Sequence, residues 1–368
     1  MEAFARKLKT ALENREFLAL EDPHWPGDWK DALSGIAAQY KAEHPPAILI
    51  PTSGTTGVPK YCIHTSDTLF CSARGFAERF GKQGIVHAVN VLPGHHVGGL
   101  MPIIRSMECS GRLHYADYRN SDGFQSAPFP LEEASISLVP TQLRRMLASQ
   151  RGTRVLRRFG LILVGGAACP PDLLEISRRE EIRLCPCYGS TETAAMVTAL
   201  DPEEFLAGQT GVGTALPHAE ISIDSTGRIL VRSGSIAMGY IPTNELFSRD
   251  PFPTGDLGAM NETGHLHIGG RADRVIITGG ENVHPEQIEA AAVATGLIQS
   301  ALCRGVPDPD WGTRVELEVV MKPEASGSMG SLRAELQERL PHYAVPKAIH
   351  PVKSLPPGKG IDAQESGS

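Results

Sequence analysis

The sequence has few of the features that mark secreted, membrane-spanning or nucleic-acid-binding proteins. Its 368 residues contain seven cysteines, a sparse and odd number that does not form a disulfide framework. Only Cys185 and Cys187 lie close together, and a CxC pair without a second cluster is a poor zinc site. No run of about 18 apolar residues occurs, and a formal charge of −7 offers no basic surface for nucleic acid. These classes of protein are therefore disfavoured.

The sequence also lacks a secretory signal at its first residues. Charged side chains are mixed with apolar ones throughout the first twenty residues, so we expect a cytoplasmic protein with reduced thiols. An apolar fraction of 41% supplies a sizeable core, and the length predicts two domains. The 38 glycines and 28 prolines exceed average usage and indicate many turns and functional loops.

Apolar stretches alternate with helix-like segments from Pro46 onward, which is typical of an α/β domain with a largely parallel sheet. In such sheets, ligands bind at the loops beyond the carboxyl ends of the strands. The predicted strands cover 47–51, 85–92, 136–139, 161–164 and 183–187, and the predicted helices cover 99–110, 141–149 and 170–179.

Two later regions have a different character. Residues 205–270 alternate apolar and polar positions around glycine turns, which predicts a β-rich subdomain of hairpins. A polar, glycine-bearing joint follows at 269–273, and the remainder predicts a small α+β unit. We therefore predict a domain boundary near Asp273. The predicted elements of the small unit are strands at 275–277 and 315–321 and helices at 285–295 and 331–340.

The segment ILIPTSGTTGVPK at residues 48–60 has the composition of a phosphate-binding loop. An apolar strand leads into glycines, hydroxyl residues and a lysine; backbone N–H groups, hydroxyls and a cation are what a polyphosphate needs. The Walker A pattern requires Gly-Lys followed by Ser or Thr, whereas Lys60 follows Pro59 and precedes Tyr61. A P-loop NTPase is therefore excluded, and a plain polar turn is the less favoured alternative.

TSGTTGVPK resembles the phosphate-loop motif of the acyl-adenylate-forming, or AMP-binding, superfamily, which includes acyl-CoA synthetases, carrier-protein adenylation domains and luciferases. Five segments in the family's order, from residue 48 to residue 289, carry the resemblance. It implies a large N-terminal α/β domain at 1–272, short at its N-terminal side for this family, and a small mobile α+β domain at 273–368. The four further matching segments are YGSTE at 188–192, PTGD at 253–256, GRAD at 270–273 and ITGGENVHPEQIE at 277–289.

The resemblance implies that these motifs bind ATP and Mg²⁺. Tyr188 offers an aromatic face to adenine, Glu192 holds the metal, and Asp256 grips the ribose hydroxyls. On local sequence alone, Glu192 is also a plausible carboxylate at a helix N-terminus and Asp256 a turn residue. Lys60 is a catalytic residue of the phosphate loop. The implied ATP-binding residues are Thr52, Ser53, Gly54, Thr55, Thr56, Gly57, Gly165, Gly166, Ala167, Tyr188, Gly189, Ser190, Thr191, Asp256 and Arg271.

In the family, the small domain rotates between adenylation and thioester formation. The resemblance implies that Asp273 is the hinge, that Arg271 approaches the ribose or phosphate, and that the loop at 279–280 (Gly279 and Gly280) enters the site for the second step. The alternative for Arg271 and Asp273 is a local surface ion pair. Lys359 matches the family's catalytic lysine, which bridges the carboxylate and the α-phosphate, although Gly360 is an extra residue there; a frayed charged tail is the alternative.

The acid pocket is predicted near PGHHVGGLMPIIR at 93–105, where His96 matches the position that orients the acid in the family. Arg105 lies in an otherwise apolar helix and needs a partner. A protein carboxylate is the commoner partner, and a substrate carboxylate is the alternative. Segments 96–105, 137–143 and 164–168 resemble o-succinylbenzoate–CoA ligases of menaquinone biosynthesis, whose substrate is a dicarboxylate. Thr141 either lines this pocket or caps the next helix.

We predict an AMP-forming acid–CoA ligase that uses ATP, Mg²⁺ and CoA, with o-succinylbenzoate as its acid. The expected partners are small molecules, with no nucleic acid and no membrane span, and a homo-oligomer is left open. One alternative passes the acyl group from the adenylate to a carrier protein. A second alternative is a nucleotide-binding homologue that no longer catalyses. The short N-terminal region and the altered lysine motif favour it, whereas the presence of Lys60, Glu192 and Asp256 argues against it.

Overall fold

A computed structural model gives the fold. It describes residues 2–21, 27–43, 47–53, 59–81, 83–243, 245–248, 250–278, 281–309, 311–323, 329–355 and 361–362. The loop at 54–57, the glycines at 279–280 and Lys359 lie outside these residues, and so do the side chains of Ser53 and Pro59.

The described helices and strands alternate through most of the chain. The helices are α1 (Glu2–Glu13), α2 (Gly27–Glu43), α3 (Ser66–Phe80), α4 (Val97–Glu108), α5 (Pro140–Leu147), α6 (Gln150–Leu156), α7 (Pro171–Arg179), α8 (Pro202–Leu206), α9 (Pro285–Val293) and α10 (Met329–Arg339). The strands are β1 (Leu18–Ala19), β2 (Ile48–Ser53), β3 (Pro59–His64), β4 (His87–Asn90), β5 (Leu113–Tyr115), β6 (Ala134–Leu138), β7 (Leu161–Val164), β8 (Leu184–Ser190), β9 (Ala195–Ala199), β10 (Thr214–Ala215), β11 (Ala219–Ile223), β12 (Arg228–Ser233), β13 (Gly239–Ile241), β14 (Glu245–Leu246), β15 (Phe252–Met260), β16 (Leu266–Arg271), β17 (Ile276–Thr278), β18 (Glu281–Val283), β19 (Ile298–Asp308), β20 (Gly312–Met321), β21 (Ala348–Pro351) and β22 (Ile361–Asp362).

A seven-stranded sheet in the order β10-β9-β8-β7-β6-β4-β5 forms the centre of the large part of the chain. Strands β5, β4, β6, β7 and β8 run parallel, and β9 and β10 add antiparallel pairs at one side. All four residues of β7 are buried, because helices cover both faces of a parallel sheet and select continuous apolar strands. The predicted α/β class is confirmed.

A second sheet, in the order β1-β2-β3-β13-β14, carries the predicted phosphate loop. Strands β2 and β3 form an antiparallel hairpin in which Ile48 pairs with His64 and Ser53 pairs with Pro59. The next helix, α3, begins after a capping box in which the side chains of Thr65 and Thr68 each accept the other residue's backbone N–H. The two strands that flank the predicted phosphate loop are therefore paired with each other.

The remaining chain folds as the predicted hairpins and as a separate α+β unit. Strands β11, β12, β15 and β16 form an antiparallel sheet. Beyond residue 271, β21, β20, β19 and β22 form a sheet against which α9 and α10 pack, with its own buried core. Among the described helices, none has both the length and the apolar character needed to cross a lipid bilayer.

Candidate functional site

A cavity of about 130 Å³ lies at the carboxyl ends of the parallel strands, where α/β sheets place their ligands. The strands β6, β7 and β8 end at its wall, and α4 closes one side of it. Residues that line it include Arg105, Leu138, Val139, Gly165, Cys187 and Gly189.

A larger groove of about 550 Å³ lies at the opposite edge of the same sheet. Its arginines already have protein partners; Arg79, for example, pairs with Asp201 at 2.8 Å. Because the amino ends of parallel strands rarely hold ligands, the smaller cavity is the candidate site. The first residues of the strands line this groove, among them His87, Ala134 and Leu161.

The β2–β3 hairpin brings the ends of the predicted phosphate loop together. Thr52 stands opposite Lys60 in the antiparallel pairing of the two strands. The Thr52 hydroxyl oxygen is buried and has no hydrogen-bond partner among the described residues. A buried hydroxyl that lacks a partner is a donor that a ligand oxygen at this loop can use.

Lys60, Glu192 and Tyr240 meet beside this hairpin, although they lie far apart in the sequence. Tyr240 is on β13, which pairs antiparallel with β3 and places Tyr240 opposite Cys62. The Lys60 Nζ atom lies 3.3 Å from the centroid of the Tyr240 ring, and the Tyr240 hydroxyl donates to the Glu192 carboxylate. Burial, and then the charge of Glu192, raise the pKa of Tyr240, which keeps its hydroxyl a donor.

The backbone around Glu192 is held from two sides. The His64 ring is fully buried on β3, and its Nε2 atom donates to the carbonyl of Thr191 over 2.7 Å. From the other side, the N–H of Ala237 donates to the carbonyl of Glu192 over 2.8 Å. This backbone is part of the predicted Tyr188–Glu192 motif, so β3 and the segment before β13 hold the backbone that carries the Glu192 side chain.

Tyr188, Asp256 and Arg271 form a second cluster. The Tyr188 hydroxyl donates to Asp256 over 2.7 Å, and burial followed by the Asp256 charge raise the pKa of Tyr188. Arg271 lies 3.6 Å from Asp256 and donates to both carboxylate oxygens of Asp273 at 3.0 Å. This hydrogen bonding raises the pKa of Arg271 and lowers that of Asp273. Tyr188, Asp256 and Arg271, which come from separate motifs, therefore lie together. The ion pair between Arg271 and Asp273, which the sequence analysis gave as the alternative, is present.

Three glycines keep side chains away from the cavity wall. A Cβ atom on Gly189 would lie 1.9 Å from the carbonyl oxygen of Ala195, and one on Gly165 would lie 3.0 Å from the Cys187 sulfur. Gly166 has a φ of +79°, which favours glycine. The turn after β7 can therefore follow the cavity closely, as expected from the sequence. Ala167 is exposed next to it.

Arg105 faces the cavity as a buried cation. It is 3% exposed, and its guanidinium lies 4.1 Å from the centroid of the Phe76 ring. Its Nε atom has no hydrogen-bond partner among the described residues. Burial lowers the pKa of Arg105 to about 10, so the group stays charged at neutral pH. Within the described part of the chain, no carboxylate forms an ion pair with it. The sequence alone favours a protein carboxylate as the partner of Arg105. For the residues that the structure describes, this prediction is wrong.

The two other predicted acid-pocket residues, His96 and Thr141, are not among the described residues that line the cavity, although Val97 and Val139 beside them are. His96 is the residue before α4, and its ring centroid lies 4.3 Å from that of His95. Helix α5 is capped at Val139, and Pro140 takes its first position, because proline needs no N–H partner there. The prediction that Thr141 caps this helix is wrong. Of α5 and its cap, Val139 is the residue that lines the cavity, and the substrate role of Thr141 stays a prediction.

Sequence reasoning did not single out Tyr240, His64 or Thr254. Thr254, in the predicted PTGD motif, binds the carbonyl of Ile229 with its hydroxyl and accepts the N–H of Asp256. The pattern Met-Gly-Tyr around Tyr240 carries no local signal for a partner 48 residues earlier in the chain. Contacts between distant strands were needed to find it.

Comparison with known proteins assigns the chain to a family. The family model described as AMP-binding enzyme matches residues 2–241, and that of the AMP-binding enzyme C-terminal domain matches residues 287–357. The chain is 30% identical over 317 residues to a 2-succinylbenzoate–CoA ligase of Oceanobacillus iheyensis, covering 83% of this chain and 65% of the relative. A ligase of the same name from Geobacillus kaustophilus is 31% identical, over 84% of this chain and 66% of the relative. The chain thus spans just under two thirds of the length of these curated relatives.

Two solved structures extend the comparison. The o-succinylbenzoate CoA synthetase MenE of Bacillus subtilis, in complex with the acyl-adenylate intermediate OSB-AMP, matches with a TM-score of 0.76 and 25% identity, over 96% of this chain and 78% of that chain. MenE of E. coli, bound to an analogue of OSB-AMS, matches with a TM-score of 0.62 and 28% identity, over 85% of this chain and 66% of that chain. With its fold, its clustered motifs and the two family matches in sequence order, the chain belongs to the AMP-binding enzyme family.

Proposed function

We propose that this chain is an acid–CoA ligase that joins ATP and a dicarboxylic acid into an acyl-adenylate and then forms a CoA thioester, with o-succinylbenzoate as the acid. The observation that carries the proposal is Arg105, a buried cation that faces a cavity next to the clustered nucleotide motifs. The ligases to which the chain is similar are named for this acid.

The nucleotide part of the proposal rests on two clusters of side chains. Lys60 and the unpartnered hydroxyl of Thr52 stand at the base of the phosphate loop, where they would bind phosphate oxygens. Tyr188 and Asp256 are joined by a hydrogen bond at the other cluster. There the ring of Tyr188 would pack on adenine, and the carboxylate of Asp256 would accept hydrogen bonds from ribose hydroxyls.

The acid part rests on the charge of Arg105, with which no carboxylate of the described residues forms an ion pair. A buried guanidinium without a carboxylate is destabilising, and it pairs most strongly with a planar carboxylate. A dicarboxylate can present one carboxylate to Arg105 while the other reaches the nucleotide side of the cavity, where Gly165 and Gly189 leave room. A monocarboxylic acid would leave Arg105 unpaired, so the charge selects for a second acidic group.

The proposed reaction has two steps. In the first, an oxygen of the free carboxylate forms a bond to the α-phosphorus of ATP, and the bond from that phosphorus to the pyrophosphate oxygen breaks. In the second, the thiol of CoA gives its proton to solvent and its sulfur bonds to the acyl carbon. The bond from that carbon to the bridging phosphate oxygen breaks, and AMP leaves with that oxygen. Lys60 stabilises the negative charge on the phosphates during the first step, and Lys359 stays the predicted cation for the α-phosphate.

Glu192 fits the Mg²⁺ that the family implies. Its carboxylate oxygens are the hard ligands that Mg²⁺ prefers, and Mg²⁺ usually binds through one or two carboxylates together with substrate phosphates. Glu192 is oriented by its contact with Tyr240 and by the backbone bonds around it. When bound, the metal would neutralise negative charge on the phosphates.

The hinge at Asp273 belongs to the same proposal. Arg271 donates to Asp273 through Nε and Nη2, and its Nη1 atom lies 3.6 Å from Asp256, so one guanidinium links the proposed hinge to the proposed ribose site. A ligand phosphate would compete with Asp273 for the same donors. Exchange of partners by Arg271 would let the small domain rotate about residue 273 between the two steps.

The test is release of pyrophosphate with ATP and Mg²⁺, measured for a panel of acids with and without CoA. The panel contains o-succinylbenzoate, benzoate, a medium-chain fatty acid and several amino acids. We expect release with o-succinylbenzoate and a thioester only when CoA is present. Arg105→Ala should lower kcat/KM for o-succinylbenzoate about a hundredfold, because the substrate carboxylate loses its buried partner.

Arg74→Ala is the matched control, because Arg74 is an exposed arginine on α3 that pairs with Glu108. It should leave kcat/KM within about twofold of the wild type. Release with a different acid would disprove the substrate assignment alone. An adenylate that reacts with a carrier-protein arm but not with CoA would favour the first alternative, and ATP binding without release for any acid would favour a non-catalytic homologue.

A further inference from the structure

We propose that Tyr240 is a positioning residue that aligns Lys60 and Glu192 on one polyphosphate, holding the lysine with its ring and the carboxylate with its hydroxyl. The inference rests on the proposed function, since it assigns to Tyr240 a task in binding ATP and Mg²⁺. Its evidence is the contact of one side chain with both charged residues.

The ring of Tyr240 holds the Lys60 cation. The Nζ atom lies 3.3 Å from the ring centroid, well inside the distance at which an ammonium is attracted to the face of an aromatic ring. A ring face attracts the cation through its quadrupole and, unlike a carboxylate, accepts no strong hydrogen bond from its N–H donors. The ring therefore fixes the position of the Lys60 ammonium group and leaves its N–H donors available for phosphate oxygens.

The hydroxyl of Tyr240 holds Glu192. It donates to Oε1 of the carboxylate, which leaves Oε2 and the remaining lone pairs for another ligand. A hydrogen bond to a charged acceptor is among the stronger ones, so it restricts the rotamers of Glu192. The cation lies over the face of the ring and the carboxylate lies at its hydroxyl, so one side chain contacts both charged groups.

Tyr240 itself is fixed by β-sheet pairing and by aromatic packing. Its backbone pairs with Cys62 on one side and Glu245 on the other, within the sheet that also carries the phosphate-loop hairpin. The ring of Phe247 meets the Tyr240 ring edge-on, with centroids 4.8 Å apart. The ring is therefore set in the same rigid frame as the loop that it serves.

The experiment separates the ring from the hydroxyl by measuring ATP affinity in EDTA and in excess Mg²⁺, by titration calorimetry. Tyr240→Phe keeps the ring, so affinity for metal-free ATP should stay as in the wild type, whereas the gain in affinity caused by Mg²⁺ should fall about tenfold. Tyr240→Leu lacks both groups, so affinity for metal-free ATP should also fall about fivefold.

Tyr118→Phe is the matched control. It removes a tyrosine hydroxyl that contacts Arg145, away from Lys60 and Glu192, and both affinities should stay unchanged. Binding of metal-free ATP by Tyr240→Phe also shows that this variant is folded. Equal Mg²⁺ gains in Tyr240→Phe and the wild type, or equal metal-free affinities in the Leu and Phe variants, would overturn the inference. A wild type that binds no ATP would overturn the proposed function as well.

Discussion

At the scale of residues, His218 is notable because both nitrogens of its ring are buried. Neither of its ring nitrogens has a partner among the described residues, and the ring lies so close to α3 that a Cβ on Gly75 would be 2.1 Å from Nδ1. Burial, and then the like charge of Arg105, lower the pKa of His218 to about 4, from an ordinary 6.5. Although the residue as a whole is partly exposed, its polar atoms are not.

This pKa makes stability depend on pH. Below pH 6.5 the unfolded chain takes up a proton at residue 218, whereas the folded chain does not until about pH 4. The free energy of unfolding should therefore fall as the pH drops from 6.5 to 4. Between pH 7 and pH 5, urea unfolding should show that the wild type loses about 2 kcal/mol more than His218→Phe, which keeps a ring against Gly75. Equal losses would show that His218 is hydrated; between pH 8 and 7 the two proteins should behave alike.

The residues that sequence reasoning identified are those whose chemistry is unusual for their local pattern. Arg105 stands out as a cation in an apolar helix. Because no carboxylate of the described residues pairs with it, the structure makes Arg105 more informative than the sequence alone does. Tyr240 and His218 have no such mark, because their meaning comes from strands and helices that pack on them from elsewhere. Tertiary contacts over more than a hundred residues, such as that of His64 with Thr191, cannot be read from spacing.

At the scale of elements, the end of β16 packs closely against α9. Gly270 has a φ of +141°, and a Cβ there would lie 2.8 Å from Oε2 of Glu286. Glu286 cannot turn away freely, because Arg274 donates to it over 2.9 Å and also pairs with the buried Glu289. The strand and the helix therefore approach each other at a point where only glycine fits.

Two adjacent glycines give a matched test of this junction. Gly270→Ala should lower the free energy of unfolding by at least about 1 kcal/mol, because alanine is strained at this φ and its Cβ meets the Glu286 carboxylate. Gly269→Ala should be tolerated, since its Cβ would lie at an ordinary 3.5 Å from Leu257. Urea unfolding of both variants measures the difference. Equal behaviour of the two would mean that β16 and α9 are not packed this closely in solution.

Elements with one uniform pattern are well predicted from the sequence. Strand β7 has the predicted bounds, because four consecutive buried apolar residues have no helical alternative of that length. The longest strand, β19, was not predicted, because its Cys-Arg-Gly-Val-Pro stretch contains a charge, a glycine and a proline. It forms through pairing with β20 along its length, which is a tertiary effect. Strand β3 was not predicted either. The sequence analysis placed its first two residues, Pro59 and Lys60, in the phosphate-loop segment, whereas the strand forms by pairing with β2 and β13.

At the scale of the whole molecule, the described residues form separate hydrophobic cores. One core packs under α5, α6 and the parallel strands, and another lies between α9, α10 and the β19–β20 sheet. Among the described residues, few polar contacts join the two parts. One of them is the Gln287 side chain, which donates to the carbonyl of Gly269 over 3.4 Å. Parts with their own cores and few shared contacts can unfold separately. The boundary near Asp273 remains a prediction that this property can test.

Calorimetry of two leucine variants should separate the parts. Leu156 in α6 and Leu336 in α10 are both fully buried, each in a different core. Each leucine-to-alanine change should cost about 2–5 kcal/mol through lost burial and the cavity that remains. If the boundary is correct, Leu336→Ala should shift one thermal transition and Leu156→Ala another. ATP with Mg²⁺ should raise the transition that Leu156→Ala lowers, because a ligand stabilises the part that binds it. A single transition that both substitutions shift equally would mean that the molecule unfolds as one unit, and a hinge at residue 273 would then have no independent body to move.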